Sequence, residues 1–391
     1  MTTGNAPRVK RTVRSMVFIL YSVVVAALLL AGLEGYLKKQ AGEPPLSEGT
    51  ERSIRLREHR PGSVLTMLPD EAFLREFTQN LDRRKYIVRV DENGFIMPSR
   101  LHDEPDRVLV FLGGSTTECM LVDENLRFPA LVGALLSQQT GLAINSYNGG
   151  KGGNNSLHSI NVLLNKVVPL DPDAVILMHN INDLVILMLE QTYWNSNPKR
   201  SPVVTVAEPT LANVIRTNLT RWVPNTLRFA GSLGRRSDGI RSVNMDEFAI
   251  KRGTAVTLDL QALLREFELN LMTFIALCQT RGISPVLMTQ ANRLTATPDA
   301  FITKLMAHTE RDYQVSYRQF KTVYDAFNER IREVGRKNGV LVIDLEGMIP
   351  KTSDHLFDLV HFNDSGSRLA AQIISRALKP LVERAGKSGR Q

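Results

Sequence analysis

The sequence predicts an α/β fold, in which a parallel sheet carries helices on both faces in a three-layer, flavodoxin-like arrangement. Five short apolar runs are typical of strands that are buried on both faces: 107–113, 143–149, 174–180, 284–290 and 340–346. Amphipathic stretches of helical length separate most of these runs and follow the last one. Strands that alternate with helices in this way favour parallel pairing with crossover helices on both sides of the sheet.

The helices of this scheme are predicted from the periodicity of their apolar residues. They span 125–139, 155–167, 258–280, 313–337 and 364–382. Gly141, Gly282 and Gly339 lie where such helices commonly end, because glycine adopts the left-handed conformation that closes a helix.

The sheet domain is predicted to cover residues 106–385, with a flexible tail at 386–391. Residues 193–253 interrupt the strand–helix alternation and are richer in Pro, Asn, Ser and Arg, so we interpret them as an insertion. It is either a surface excursion or a lid that contacts the substrate, and the sequence leaves both open. Residues 37–105 are interpreted as an irregular, charged stalk and cap, in which only 86–99 has the pattern of a strand and a turn.

The N-terminus has a different character. The run Val17–Leu33 contains no charged residue, and its length lies at the lower limit of the about 17–25 residues that cross a bilayer. A cleaved signal peptide and a buried core helix match the pattern less well. We therefore expect a basic cytoplasmic tail at 1–15 and a single transmembrane anchor at 16–36. Basic residues before the run favour an extracytoplasmic, periplasmic body.

Composition excludes several classes of function. The chain has 391 residues and a net charge of +8, but its basic residues are scattered, which argues against nucleic-acid binding. Its two cysteines, Cys119 and Cys278, can form neither a disulfide framework nor a metal cluster. No group of residues has the spacing of metal ligands, so we predict neither a catalytic metal nor a cofactor. The sequence does not determine the oligomeric state.

Polar segments follow four of the predicted strands. They are Gly113–Thr117, the glycine loop 147–156, the segment 179–183 and the loop 357–366 before the last helix. Each has an ordinary structural explanation when taken alone, as a turn or a helix cap. Ligands of open parallel sheets bind outside the carboxyl ends of the strands, so all four are predicted to meet at one edge.

Together these segments contain the groups needed for acyl transfer. The hydroxyl of Ser115 is a weak nucleophile until a base removes its proton, and His361 can be that base. Asp358 lies three residues before His361 and can orient its imidazole. The oxyanion would accept hydrogen bonds from the Ser115 N–H, from an N–H of the glycine loop and from the side-chain amide of Asn182. Gly113 and Gly114 would allow the sharp turn that exposes Ser115.

These residues resemble the four blocks of the SGNH, or GDSL-type, serine hydrolases over about residues 106–385. Ser115 matches the serine block and Asn182 the asparagine block, while Asp358 and His361 match the last block. The oxyanion glycine of the family aligns with Gly153, with Gly150 as the alternative. The chain departs from the family at two positions. Gly114 replaces the aspartate of the usual Gly-Asp-Ser-Leu opening, and Asn180 replaces a glycine in the third block.

The resemblance implies a membrane-anchored serine ester hydrolase or O-acyltransferase. Its expected substrates are acyl esters, such as acetyl esters, of a cell-envelope or secreted polysaccharide. Two alternatives stay open at this point. One is a lipid esterase or thioesterase with the same triad, which apolar cavity walls would favour. The other is a non-catalytic component of a glycan assembly machine.

Overall fold

The computed structural model describes residues 6–40, 51–197, 199–206, 248 and 251–384. Residues 54–204 and 223–391 form one compact unit, and residues 1–53 and 205–222 form another. Most of the predicted insertion and the C-terminal tail lie outside the described residues. Two short strands, β1 (Glu51–Ile54) and β7 (Val203–Val206), contain boundaries between the two units.

The larger unit is built on a sheet of five parallel strands. These are β4 (Arg107–Gly113), β5 (Ile144–Asn148), β6 (Ala174–Met178), β8 (Ser284–Met288) and β9 (Leu341–Ile343). Their spatial order is β5-β4-β6-β8-β9. Numbered by their order in the sequence, the strands have the spatial order 2-1-3-4-5 of flavodoxin-like folds, in which the order of strand addition reverses between the first and third strands. The predicted parallel sheet is confirmed, and each strand lies within its predicted run.

Alternating side chains of the strands enter two separate cores. On β4, Val108, Val110 and Leu112 face one core, whereas Leu109 and Phe111 face the other. This period of two follows from the pleat of an extended chain. Because both cores are apolar, each strand is hydrophobic on both faces, which is why the strands are continuous apolar runs in the sequence.

Helices cover both faces of the sheet. Two of them, α4 (Phe128–Thr140) and α11 (Asp364–Arg384), pack on one face. On the other face lie α5 (Ser156–Val162), α6 (Ile181–Glu190), α7 (Leu260–Thr280), α8 (Ala300–Tyr313) and α9 (Tyr317–Asn338). A π-helical segment and a 3-10 turn continue α5 to Leu170. Two short helices, α3 (Ser115–Glu118) and α10 (Leu345–Met348), begin shortly after the ends of β4 and β9, respectively. Helices α6 and α8 were not predicted from the sequence.

The cap is ordered and packs on the sheet domain. It contains the antiparallel pair β2 (Val64–Met67) and β3 (Tyr86–Arg89), with α2 (Glu71–Phe77) between them. Val88 is completely buried, and Ile96 forms a bridge to Asn148 at the end of β5. Residues 54–105 therefore belong to the same compact unit as the five-stranded sheet.

The smaller unit contains the N-terminal helix α1 (Ala6–Gln40). Large apolar side chains between Val17 and Leu33 are exposed on it, and Phe18 has 70% of its surface accessible. Within the part of the chain that the structure describes, however, no helix has both the length and the apolarity required to cross a membrane. The predicted transmembrane anchor at 16–36 is therefore not confirmed. Its uncharged run lies at the lower limit of the about 17–25 residues that a bilayer requires.

Candidate active site

The nucleophile turn, residues 113–118, begins at the carboxyl end of β4, and Ser115 is the first residue of α3. A Cβ atom on Gly113 would lie 2.1 Å from Thr117 Oγ1, and one on Gly114 would lie 2.1 Å from Asn182 Nδ2. Gly114 has a φ of −90°, which any residue can adopt. The two glycines are thus required for close approach, and the explanation from a sharp turn was wrong.

A chain of hydrogen bonds joins Ser115 to the loop before α11. The Oγ atom of Ser115 lies 2.7 Å from Nε2 of His361, and Nδ1 of His361 lies 2.7 Å from Oδ2 of Asp358. The other carboxylate oxygen of Asp358 accepts hydrogen bonds from the backbone N–H groups of Val360 and His361. The ring of Phe357 stacks on the imidazole at 5.6 Å. The predicted serine, histidine and aspartate are thus in contact, in the order that acyl transfer requires.

The electrostatic environment supports this order of proton transfer. Burial lowers the pKa of His361, but the charge of Asp358 and the hydrogen bond to it outweigh burial and raise this pKa above its ordinary value of 6.5. The charge of Glu118 raises it further. Burial raises the pKa of Asp358, but the interactions with His361 outweigh it, and the pKa lies below 3.8. The carboxylate therefore stays ionised and favours the imidazolium that forms when His361 accepts a proton.

Asn182 lies in the first turn of α6, the helix that follows β6, and β6 is the strand next to β4. Its Nδ2 atom donates to the carbonyl of Asn154 at 2.8 Å, next to the turn that carries Ser115. An amide nitrogen has two hydrogens, so a second one is available for an oxyanion. Ser115 and Asn182 thus lie at the reversal point of the strand order, where ligands of such sheets bind.

The glycine loop lies against the nucleophile turn. A Cβ atom on Gly150 would lie 2.4 Å from the backbone nitrogen of Glu118, and the Gly150 N–H donates to Asn148 Oδ1 at 2.9 Å. Because this N–H is engaged, Gly150 is the poorer of the two candidates for the oxyanion glycine. Gly153 has a φ of +76°, which favours glycine, and its carbonyl accepts a hydrogen bond from Arg200.

A buried network fixes α6 relative to α5. Asp183, with no exposed surface, accepts hydrogen bonds from the Ser156 N–H, the Ser156 hydroxyl and the Tyr193 hydroxyl. His179 lies 3.5 Å from Asp183 and 2.7 Å from the Ser159 hydroxyl. This second Ser–His–Asp group is at most 2% exposed, and burial lowers the pKa of His179. The burial of this group indicates a packing role for His179.

Three further polar residues, His158, His355 and Lys151, make other contacts. His158 is buried, its pKa is lowered to about 3 mainly by desolvation, and its side chain caps α5 together with Asn155. His355 has its Nδ1 atom 3.4 Å from the Thr352 hydroxyl. Lys151 lies 3.9 Å from Glu118. Across the described ranges, no group of three or more His, Cys, Asp or Glu side chains could hold a metal ion.

A cavity of about 730 Å³ opens beside Ser115, Asn182 and His361. Its volume is in the range of small-molecule sites. Most of its walls are apolar and come from α6, α8, the loop of Asp358 and the cap, and they include Met67, Phe73, Phe77, Met188, Leu189, Phe248, Met306 and Phe320. Arg57 and Arg200 also line it. The contribution of the cap was missed in the sequence, because residues 37–105 lack a periodic pattern over most of their length.

Residues 111–369 match the model of the GDSL-like Lipase/Acylhydrolase family, and this match covers well over half of the chain. The chain belongs to this family. Members of it are hydrolases of ester bonds, and so is this protein. No curated protein sequence is significantly similar to it.

Solved structures of related hydrolases resemble the chain over most of its length. The acetylxylan esterase Axe2 of Geobacillus stearothermophilus is 15% identical, with a TM-score of 0.40, and the match covers 70% of this chain and 94% of that one. A lipase/acylhydrolase of Enterococcus faecalis is 18% identical, with a TM-score of 0.40, and the match covers 70% of this chain and 96% of that one. A putative GDSL-like lipase of Parabacteroides merdae is 13% identical, with a TM-score of 0.42, and the match covers 72% of this chain and 99% of that one.

Proposed function

We propose that the protein cleaves carboxylic esters through an acyl-enzyme formed on Ser115. His361 removes the proton of Ser115 as its oxygen attacks the carbonyl carbon, and Asp358 orients the imidazole and stabilises its charge. The N–H groups of Ser115 and Gly153 and the side-chain amide of Asn182 hold the oxyanion. His361 then protonates the leaving alcohol and activates a water molecule that releases the acid. The observation that carries this proposal is the Ser115–His361–Asp358 chain, with both contacts at 2.7 Å.

The acyl group that suits the cavity is an apolar chain. Met188, Leu189, Met306, Phe320 and Phe248 line the cavity although each is at most 6% exposed, so they form a deep apolar part. Burial of one methylene group is worth about 0.8 kcal/mol, which corresponds to about a fourfold gain in binding. We therefore favour the acyl-chain alternative over acetylated polysaccharide as the substrate class.

The test is a series of p-nitrophenyl esters from acetate to decanoate. We expect kcat/KM to rise by up to about fifteenfold with each pair of methylene groups up to about eight carbons, because each pair buries more apolar surface. Met306→Trp, which narrows the cavity, should abolish this preference and leave acetate hydrolysis intact. Met272→Trp is the matched control, since Met272 is 45% exposed on α7 and should leave the series unchanged.

A preference for acetate would contradict the acyl-chain assignment. Release of acetate from an acetylated polysaccharide would then support the substrate that the sequence predicted. Transfer to a sugar hydroxyl uses the same acyl-enzyme, and an alcohol added to the assay reveals it as a new ester product. Among the residues that the structure describes, no specific contact favours transfer over hydrolysis.

We also propose that the protein is attached to a membrane, with the catalytic unit on the extracytoplasmic side. The uncharged run Val17–Leu33, its exposed apolar side chains and the basic residues before it support this localisation. Fractionation of cells that produce the full chain, followed by protease treatment of intact spheroplasts, tests it. Recovery of the protein in the soluble fraction would contradict it.

A further inference from the structure

Three consecutive carbonyl groups of the glycine loop accept hydrogen bonds from side chains. The carbonyl of Gly152 accepts from Arg57 Nη2 at 3.3 Å, and that of Gly153 accepts from Arg200 Nη1. The carbonyl of Asn154 accepts from Asn182 Nδ2 at 2.8 Å. Only Asn182 belongs to the motif blocks of the family. The two arginines come from the cap and from the insertion, respectively.

These contacts determine where the N–H groups of the loop point. In a trans peptide the C=O and N–H bonds point in opposite directions, so the peptide that gives its oxygen to Arg57 turns the N–H of Gly153 away from Arg57. The following peptide is fixed in the same way, because Arg200 holds its oxygen and the Asn154 N–H donates to the Lys151 carbonyl. Glycine peptides rotate easily, so a loop that contains Gly152 and Gly153 needs such external contacts to keep one orientation.

Each arginine is itself held at a second point. The backbone carbonyl of Arg57 accepts a hydrogen bond from Asn154 Nδ2 at 2.9 Å. The backbone carbonyl of Arg200 accepts from His158 Nε2 at 2.8 Å, and His158 caps the helix that follows the loop. Arg200 is 5% exposed, and its guanidinium lies 5.6 Å from the centre of the Phe248 ring. Each arginine therefore contacts the glycine loop through its side chain, and its backbone carbonyl accepts a hydrogen bond from the loop or from α5.

We propose that Arg57 and Arg200 are positioning residues for the oxyanion site. They hold the carbonyls of Gly152 and Gly153 and thereby direct the Gly153 N–H towards the oxyanion. Their positive charges also favour the negative charge that develops there. The inference rests on the proposed ester hydrolysis, and it makes the oxyanion site dependent on contacts from the cap and the insertion.

The test compares Arg57→Met and Arg200→Met with the full-length wild-type protein on one ester. We expect kcat to fall about tenfold to a hundredfold and KM to change less than twofold, since the defect affects the transition state. Asn182→Ala, which removes an oxyanion donor, is the reference variant and should lower kcat by about 10²–10³-fold. Arg57→Lys should recover part of the activity, because a lysine can still donate to one carbonyl.

Arg55→Met is the matched control. Arg55 donates from the cap to the backbone carbonyl of Ser201 at 3.2 Å, a contact of the same type whose acceptor lies outside the glycine loop. Its substitution should leave kcat within twofold. An equal loss in Arg55→Met and Arg57→Met would assign the effect to docking of the cap and would overturn the inference.

A boronic acid that forms a tetrahedral adduct with Ser115 gives a second readout. Its inhibition constant should rise in parallel with the loss of kcat in both methionine variants, whereas the KM of the neutral ester should change less than twofold. Wild-type values of kcat and of this constant in both variants would overturn the inference but leave the ester hydrolase in place. Absence of ester hydrolysis by the wild type would overturn the proposed function itself.

Discussion

Replacement of Ser115 by alanine is expected to lower kcat by about four to six orders of magnitude, as in hydrolases whose triad acts as one unit. Alanine leaves His361 and Asp358 in place but removes the Ser115 Oγ atom, which lies 2.7 Å from His361 Nε2. No acyl-enzyme can form without this oxygen. Steady-state hydrolysis of p-nitrophenyl octanoate measures the loss, and a burst of p-nitrophenol in the wild type reports the acyl-enzyme.

Ser159→Ala is the control for this experiment. Ser159 also lies 2.7 Å from a histidine that neighbours an aspartate, but it is 1% exposed and does not line the cavity. Its substitution should lower the thermal midpoint by a few degrees at most, and kcat should stay within a few-fold of the wild type. Substantial activity of Ser115→Ala, or an equal loss in Ser159→Ala, would contradict the assignment of the nucleophile.

Asp358→Asn is expected to lower kcat by about 10⁴-fold, because the amide no longer selects the tautomer that accepts the proton of Ser115. It should also change the pH dependence. His361 must be neutral to act as a base, so wild-type kcat/KM falls as the pH falls through the pKa of His361, which lies above 6.5. Since Asp358 raises this pKa, its loss should move the acid limb to lower pH.

The profile of kcat/KM between pH 5 and 9 measures both effects. Asp354→Asn is a control, because Asp354 lies in the same loop but makes other contacts. Its carboxylate accepts a hydrogen bond from Asn80 Nδ2, and its backbone carbonyl accepts one from Asn363 Nδ2. This substitution should leave the acid limb unchanged. An acid limb that stays at the wild-type pH in Asp358→Asn would mean that the titrating group is not the His361–Asp358 pair.

The fold was predictable to the extent that buried strands produce continuous apolar runs. All five strands of the sheet were located, and α7, α9 and α11 were found from their periodicity. Helix α6 was missed because six of its ten residues are buried, so that it has no polar face to produce a helical period. Helix α8 was also missed, although Asp299 caps its N-terminus and could have indicated where it begins.

The contacts of Ser115, His361 and Asp358 were predictable, because each group follows a strand end and the ends of parallel strands meet at one edge. Arg57 and Arg200 were not. A guanidinium that donates to a backbone carbonyl about 50 to 100 residues away has no sequence pattern, and both arginines lie in regions that the sequence suggested were peripheral. The apolar character of the cavity was likewise not predictable, since its walls come from segments that are distant in the sequence.

The close contact between Gly114 and Asn182 bears on the Gly-Asp-Ser-Leu opening, from which this chain departs. The family commonly has an aspartate at this position. Here a Cβ atom on residue 114 would lie only 2.1 Å from Nδ2 of Asn182. An aspartate at this position would therefore require the amide proposed to hold the oxyanion to move. Family members that combine the aspartate with the asparagine must place these two side chains differently from this chain.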